Sequence, residues 1–412
     1  MALARGAFAP DRTRTQLASG ADMEEGEVES VRVTRRGAER WARGHPGIYQ
    51  SDVVGDPAVP AGAVRVMGEG VGFVGMALWS PASMIRLRML TRAERPIDGA
   101  FWWERVDAAA TYREVLAPAA TAYRLVHAEA DGLPSLVVDR YDAYVVLQLL
   151  SAGLEAHRPE IVEAVAARFA PAGILARNDV PVRAHEGLDQ TVALLRGQVP
   201  EEVEVCEAGV RYLAAPWTGQ KTGAFLDQRE NRVRAGELSR GRALDCFAYH
   251  GSFALHLARG AEQVVAVDSS ADALERARAN ARLNGTERIQ PVEANVFDFL
   301  RAQERAGERY DVVVLDPPAF AKRRDARERA LAAYKEVNLR ALRLLAPGGH
   351  LCTFSCSFHV DRAAFREMLR SAAEDSGRAV RWIEARSQAA DHPELLQIPE
   401  SGYLKGAILQ AV

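Results

Sequence analysis

The sequence predicts an α/β protein whose carboxy-terminal half is a doubly wound sheet, preceded by a β-rich block and a small α+β block. Three observations predict it. From residue 242 onward, apolar strand-like runs alternate with helical patterns. The first of these strands runs through a glycine turn into a helix. The chain has 412 residues and 48% hydrophobic content, enough for two or three domains.

The elements follow in order. Residues 28–94 hold short β-like pieces at 28–33, 63–67, 72–78 and 85–90, separated by turn residues, which predicts a small β-barrel. Alternation over 84–90 places Arg86 and Arg88 on one face. Residues 95–198 read as a compact α+β module, with helices at 105–116 and 156–169 and strands at 135–138, 144–150, 173–177 and 191–196. In the last block, 199–412, strands are expected at 242–246, 263–268, 289–293, 311–315, 350–354, 380–385 and 403–409. Helices fall between the first five, the strongest at 271–283. Only a loop joins the last two strands, which predicts a hairpin and an antiparallel strand. Residues 1–27 are alanine-rich with scattered glycine and charge and read as a disordered extension, with Met23 as an alternative start.

Charge sets limits on function. A net charge of −3 excludes a uniformly basic nucleic-acid binder but leaves room for a local basic patch. Lysine occurs only at Lys221, Lys322, Lys335 and Lys405; arginine supplies the other positive charges. The opening residues lack a long apolar run, so neither a signal peptide nor a membrane anchor is expected. The four cysteines, Cys206, Cys246, Cys352 and Cys356, show no metal-ligand spacing. No metal is therefore expected, and a reducing, cytoplasmic setting fits.

The strand ending at Asp245-Cys246 continues through Phe247, Tyr249 and Gly251 into a helix. Gly251 allows close backbone approach to a ligand. A single glycine in the turn does not make the dinucleotide fingerprint. S-adenosylmethionine has no pyrophosphate and tolerates a looser turn. Asp268, ending the second strand, suits a ribose diol, and the side-chain oxygen of Asn295, after the third, suits an adenine amine. Taken alone, each residue is equally compatible with a turn or a helix cap. The ordered series Asp245, Gly251, Asp268, Asn295 and Asp316-Pro317-Pro318 is more specific, and it resembles class I S-adenosylmethionine-dependent methyltransferases.

Two signals then compete. The turn Asp316-Pro317-Pro318-Ala319-Phe320 is similar to a signature of enzymes that methylate exocyclic amines of bases. Prolines stiffen it and can hold Asp316 against a flat base. Against this stands Cys356, at the tip of the fifth strand in Thr353-Phe354-Ser355-Cys356-Ser357-Phe358-His359-Val360. Carbon-5 of cytosine becomes nucleophilic only after a thiolate adds to carbon-6. That chemistry needs a thiolate beside the base and an acid near N3, the roles open to Cys356 and Asp316. A free cysteine is more commonly a small buried hydrophobe, and Cys246 and Cys352 read so. The polar surroundings of Cys356 favour a nucleophile. What would stabilise its thiolate is not evident from the sequence.

Longer motifs add to this. Arg43-Gly44-His45-Pro46 and Ser80-Pro81-Ala82-Ser83-Met84-Ile85 lie in the first block; Tyr123-Arg124-Leu125-Val126, Asp131-Gly132-Leu133-Pro134 and Asp139-Arg140-Tyr141 lie in the second. The third holds 219–229, Thr353-Phe354-Ser355-Cys356-Ser357, Ala389-Ala390-Asp391-His392-Pro393 and Tyr403-Leu404-Lys405-Gly406. Together they resemble the bacterial large-subunit rRNA cytosine-C5 methyltransferases with an amino-terminal PUA domain. The resemblance implies a Rossmann-like class I domain, S-adenosylmethionine as donor, an rRNA cytosine as acceptor and Cys356 as the attacking residue. It places Asp227 and Gln228 at the methionine end of the cofactor and Lys221 and Pro317 near the substrate. Phosphate contacts are expected from Arg86, Arg88, Arg43 and His45, with Arg35, Arg36 and Arg40 as further candidates. Where other RNA cytosine-C5 enzymes keep Pro-Cys after the fourth strand, this chain has Asp316-Pro317-Pro318, so another base must remove the carbon-5 proton. The turn Tyr249-His250-Gly251-Ser252 departs from the family's Tyr-Thr-Gly-Gly, and His250 is read as solvent-facing. A ring- or amino-nitrogen guanine methyltransferase and a non-catalytic RNA-binding protein are the competing readings. Oligomeric state is left open, a homodimer among the options.

Overall fold

The computed structural model describes residues 28–116, 119–320 and 324–412; the expectations for 1–27 and for a start at Met23 lie outside the described residues. Its largest sheet has seven strands: β1 (Arg242–Cys246), β2 (Gln263–Asp268), β3 (Ile289–Glu293), β4 (Tyr310–Leu315), β5 (Leu345–Ser355), β6 (Val380–Arg386) and β7 (Lys405–Ala411). Their spatial order is β3-β2-β1-β4-β5-β7-β6. β1 to β5 pair in parallel, whereas β7 runs antiparallel to both β5 and β6. The terminal hairpin is therefore as expected.

Burial explains the order. β1 and β4, at the centre, are almost wholly buried, as the apolar runs Ala243-Leu244 and Val312-Val313-Val314-Leu315 require. Leu257, Ala254 and Phe253 pack on one face; Leu300, Val337, Leu342 and Phe365 pack on the other. The flanking helices carry local start signals: Ser270 caps Ala271–Leu283 and Asp361 caps Arg362–Ser376 through their side chains. Chain order reverses between β1 and β4, so the crevice beyond their carboxyl ends is where such sheets bind ligands.

The central block is a five-stranded sheet in which Ala122–His127 and Val192–Gly197 are the edges, covered by helices Gly99–Leu116 and Arg158–Phe169. The sequence reading did not include the strand Ala122–His127 and began the first helix at Arg105. It also did not include the hairpin Val203–Glu207 with Val210–Ala214. The first block is a five-stranded sheet around Trp41 and Trp79, with an unexpected helix at Arg35–Ala42 and a short strand at Gly47–Tyr49.

Buried ion pairs join the blocks. Arg88 is 8% exposed and donates to Glu186 Oε1 at 2.7 Å, to Ser80 Oγ and to the Ile85 carbonyl. Arg88 is thus a pin between the first two sheets, not a phosphate contact; its guanidinium is already spent on a buried carboxylate. Arg124 grips Asp139 with two bonds of 2.8 and 2.9 Å. Asp391, in the last block, accepts from Arg229 and from the Arg124 amide, both at 2.8 Å. Arg113 reaches across to the Asp391 carbonyl at 2.7 Å.

Candidate active site

Register puts the two chemical candidates side by side. Leu315 of β4 pairs with Thr353 of β5, so Asp316 and Cys356 leave adjacent strand tips. Cys356 is partly exposed, unlike Cys246 and Cys352, which are buried. Burial and the charge of Asp316 push the Cys356 thiol up, while Lys221 pulls it down. Burial also raises the carboxyl of Asp316 to about 7, with Asp227 adding to the effect. Gln228 Nε2 donates to Asp316 Oδ1 at 2.8 Å, and Gln228 Oε1 accepts from Asn231 at 2.6 Å. Pro317 is buried and fixes the turn that carries Asp316.

A second layer builds on the 219–229 segment. Lys221 has φ +56°, unusual for a side-chain-bearing residue. It is held there from both sides: the Gln220 amide donates to Tyr249 Oη at 3.3 Å, and Thr222 Oγ1 donates to Asp139 Oδ2 at 2.6 Å. Lys221 Nζ then donates to Asp227 Oδ2 at 2.6 Å, and Tyr403 Oη donates to the same oxygen at 2.7 Å. Burial alone would raise the Asp227 carboxyl. The Lys221 and His392 charges and these two bonds overcome it and hold Asp227 well below the usual carboxylate range.

The glycine turn is tightly built. Gly251 has φ +80°, and a Cβ there would meet Ala277 Cβ at 3.0 Å. Phe247 and Tyr249 also adopt positive φ, +63° and +49°. Asp268 fastens the turn: Oδ2 accepts from the Tyr249 amide and Oδ1 from the Ser270 amide, both at 2.9 Å. Asp245 is fully buried, with Oδ2 accepting from the Ala254 amide at 2.9 Å. Burial raises its carboxyl well above the ordinary range.

Asn295 and His250 are both drawn into local structure, and the second needs correction. Asn295 caps the helix Val296–Arg305, its side-chain oxygen accepting from the Phe297 and Asp298 amides at 2.9 and 3.4 Å. The cap fixes the orientation of the side-chain oxygen that is expected to take an adenine amine. His250 is 2% exposed, not solvent-facing; its ring stacks on Tyr212 at 5.3 Å. Arg43, His45 and Arg86 all belong to the first sheet's block. Arg43 is exposed, His45 Nδ1 lies 2.9 Å from the Gly47 carbonyl, and Arg86 lies over the Trp79 ring at 5.8 Å. Arg36 and Arg40 pair with the buried Asp52, and Arg35 with Glu39.

Comparison with known proteins settles the lineage. A family described as S-adenosylmethionine-dependent methyltransferase matches residues 152–402, and a PUA-like domain matches 31–92. The chain belongs to this S-adenosylmethionine-dependent methyltransferase family. It is 40% identical over 381 residues to Ribosomal RNA large subunit methyltransferase I of Aeromonas hydrophila, covering 90% of this chain and 96% of that one. The protein of the same name from Vibrio cholerae is 39% identical over 376 residues, covering 88% and 94%. A solved S-adenosylmethionine-dependent methyltransferase from Streptococcus mutans has the same fold, with a TM-score of 0.78 and 20% identity over 93% of this chain and all of that one.

The residues present fit the cofactor. Asp245 Oδ1 and Asp227 Oδ1 are buried carboxylate oxygens without a hydrogen-bond partner among the described residues. An α-ammonium group would satisfy such oxygens. The Phe320 ring lies 6.2 Å from that of Phe247 and 5.9 Å from that of Phe297, an aromatic cluster of the kind that would suit an adenine. Among the described residues, no group of three or more His, Cys, Asp or Glu could hold a metal, and no helix is long and apolar enough to cross a membrane.

Sequence reasoning assigned no role to Tyr403, Thr222, Tyr334 or Lys405. Tyr334 Oη lies 2.9 Å from Ser357 Oγ, which steadies the residue after the thiol. Lys405 Nζ donates to the Ser357 and Tyr403 carbonyls, each at 2.7 Å. One signal was present: in a chain with four lysines, two of them, Lys221 and Lys405, converge here.

Proposed function

We propose that this protein methylates carbon-5 of a cytosine in large-subunit rRNA through a covalent bond from Cys356 to carbon-6, in the cytoplasm. The observation that carries the reading is the pairing of a partly exposed thiol with Asp316, whose carboxyl titrates near 7, at adjacent strand tips. The names of the curated relatives supply the rRNA.

Asp316, while protonated, donates a hydrogen bond to N3 of the cytosine and draws electron density from the ring. The Cys356 thiolate adds to carbon-6, which makes carbon-5 nucleophilic. Bound S-adenosylmethionine supplies the electrophilic methyl group. Water then takes the carbon-5 proton, the electrons of that bond re-form the carbon-5–carbon-6 double bond, and the carbon-6–sulfur bond breaks to release the Cys356 thiolate. Asp227, steadied by Lys221 and Tyr403, and Asp245 would hold the amino-acid end of the cofactor, and Asp268 would serve the ribose. The PUA-like sheet, with Arg43, His45 and Arg86, offers RNA contacts.

Incubation of unmodified large-subunit rRNA with protein and cofactor, followed by nucleoside mass spectrometry, tests this. The expected product is 5-methylcytidine. A methylguanosine, formed equally by a Cys356→Ala protein, would instead support the amino-methyltransferase reading suggested by Asp316-Pro317-Pro318.

A further inference from the structure

Lys405 opens β7 opposite Ser355 of β5, one residue from Cys356. It is 5% exposed, and no carboxylate lies within ion-pair distance of its ammonium among the described residues. Two of its three donors go to backbone carbonyls, those of Tyr403 and of Ser357, the residue after the thiol. A buried ammonium held only by carbonyls is an uncompensated charge. Buried charges of this kind are expected to have a partner, and the Cys356 thiol lies between Ser355, which pairs with Lys405, and Ser357, whose carbonyl Lys405 holds.

We infer that Lys405 is the cation that stabilises the Cys356 thiolate, so that thiol and amine ionise as a pair. The inference rests on the reading of Cys356 as nucleophile. In the step concerned, the Sγ proton passes to solvent and leaves a thiolate beside an ammonium that keeps its own three protons. The electrostatics show the coupling from the side of the lysine. Lys405 is lowered to about 8, mainly by burial and further by Arg362, against the raising effect of a negative charge on Cys356 and of Asp361. Because such coupling is reciprocal, an ammonium at Lys405 lowers the thiol. The other groups facing Cys356 are Asp316 and Asp227, which oppose ionisation, and Lys221, which favours it. Tyr334 also senses the thiol's charge. Lys221 already serves Asp227 at 2.6 Å, which leaves Lys405 as the uncommitted cation.

Thiol reactivity tests the pair without RNA, so its outcome is independent of the base methylated. Alkylation of Cys356 by iodoacetamide, followed peptide by peptide across pH 6–10, reports the thiolate fraction. In Lys405→Met the midpoint rises by at least about one unit and the rate at pH 7.5 falls about tenfold, whereas Lys405→Arg keeps the wild-type midpoint. An unchanged profile in folded Lys405→Met protein overturns the inference. Should that variant not fold, thiolate absorbance at 240 nm, wild type minus Cys356→Ser, decides: ionisation below about pH 8.5 supports the pair, and ionisation only above pH 9 overturns it. Loss of 5-methylcytidine formation is a separate readout and bears on the nucleophile alone.

Discussion

Thr222 Oγ1 donates to Asp139 Oδ2 at 2.6 Å, and the Tyr141 hydroxyl lies 2.9 Å from the same oxygen of Thr222. The central sheet thereby holds the backbone that presents Lys221 to Asp227. Thr222→Val keeps the shape and removes the hydroxyl. Methylation should fall about 10–100-fold through misplacement of the Lys221 segment, while stability falls by only about 1–2 kcal/mol. Thr222→Ser should restore both. Steady-state kinetics with thermal unfolding checks this.

Cys356→Ala should bind S-adenosylmethionine with wild-type affinity, measured by calorimetry, because its side chain is not among those assigned to the cofactor. Its methylation rate should drop by at least about 1,000-fold, since no other group present can add to carbon-6. Cys352→Ser should leave turnover within a few-fold, as that thiol is buried in β5.

Asp316 is held near 7, above the ordinary carboxylate value of about 4. The folded state therefore keeps this proton longer than the unfolded chain does. Its contribution to stability is greatest below about pH 4 and is lost as pH rises toward 7. Asp316→Asn removes that loss and the repulsion from Asp227. The variant should unfold about 2–4 °C higher than wild type at pH 8, with the gap narrowing at pH 4.5. A thermal-shift series across pH measures it.

Arg88→Ala should destabilise the protein by about 3–5 kcal/mol, because Glu186 would be left buried without its partner. RNA affinity at a temperature where the variant is folded should keep its salt dependence. Arg86→Ala, by contrast, should lower the slope of affinity against salt by about one charge. Filter binding at several salt concentrations separates the two.

The catalytic sheet was legible because its central strands are buried on both faces and read as continuous apolar runs, such as Val312-Val313-Val314-Leu315. Ala122–His127 was not, because it carries Arg124 and His127 inward to polar partners and so breaks the apolar pattern. Among site residues, Asp316 and Cys356 announce themselves by type and position at strand tips. Arg88 misled because alternation gives a face but not what covers it; here Glu186, far along the chain, supplies the cover. Asn295 shows the ambiguity of its type: one amide oxygen can serve a helix end, as it does here, as well as a ligand. Lys405 gains meaning only from β7 folding back against β5, a pairing that no local pattern encodes.

The buried pair Arg88–Glu186 ties the first sheet to the central block, and Asp391, paired with Arg229 and accepting from the Arg124 amide, ties the central block to the last. Linkers between domains usually permit hinge motion, but a charge pulled from such a pair would be stranded in a dry interior. The span from the amino-terminal sheet to the Cys356 thiol is therefore a fixed length. On the proposed reading, an RNA that reached from the first sheet to the thiol would have to match that length, so target choice would follow from distance as well as from the bases read.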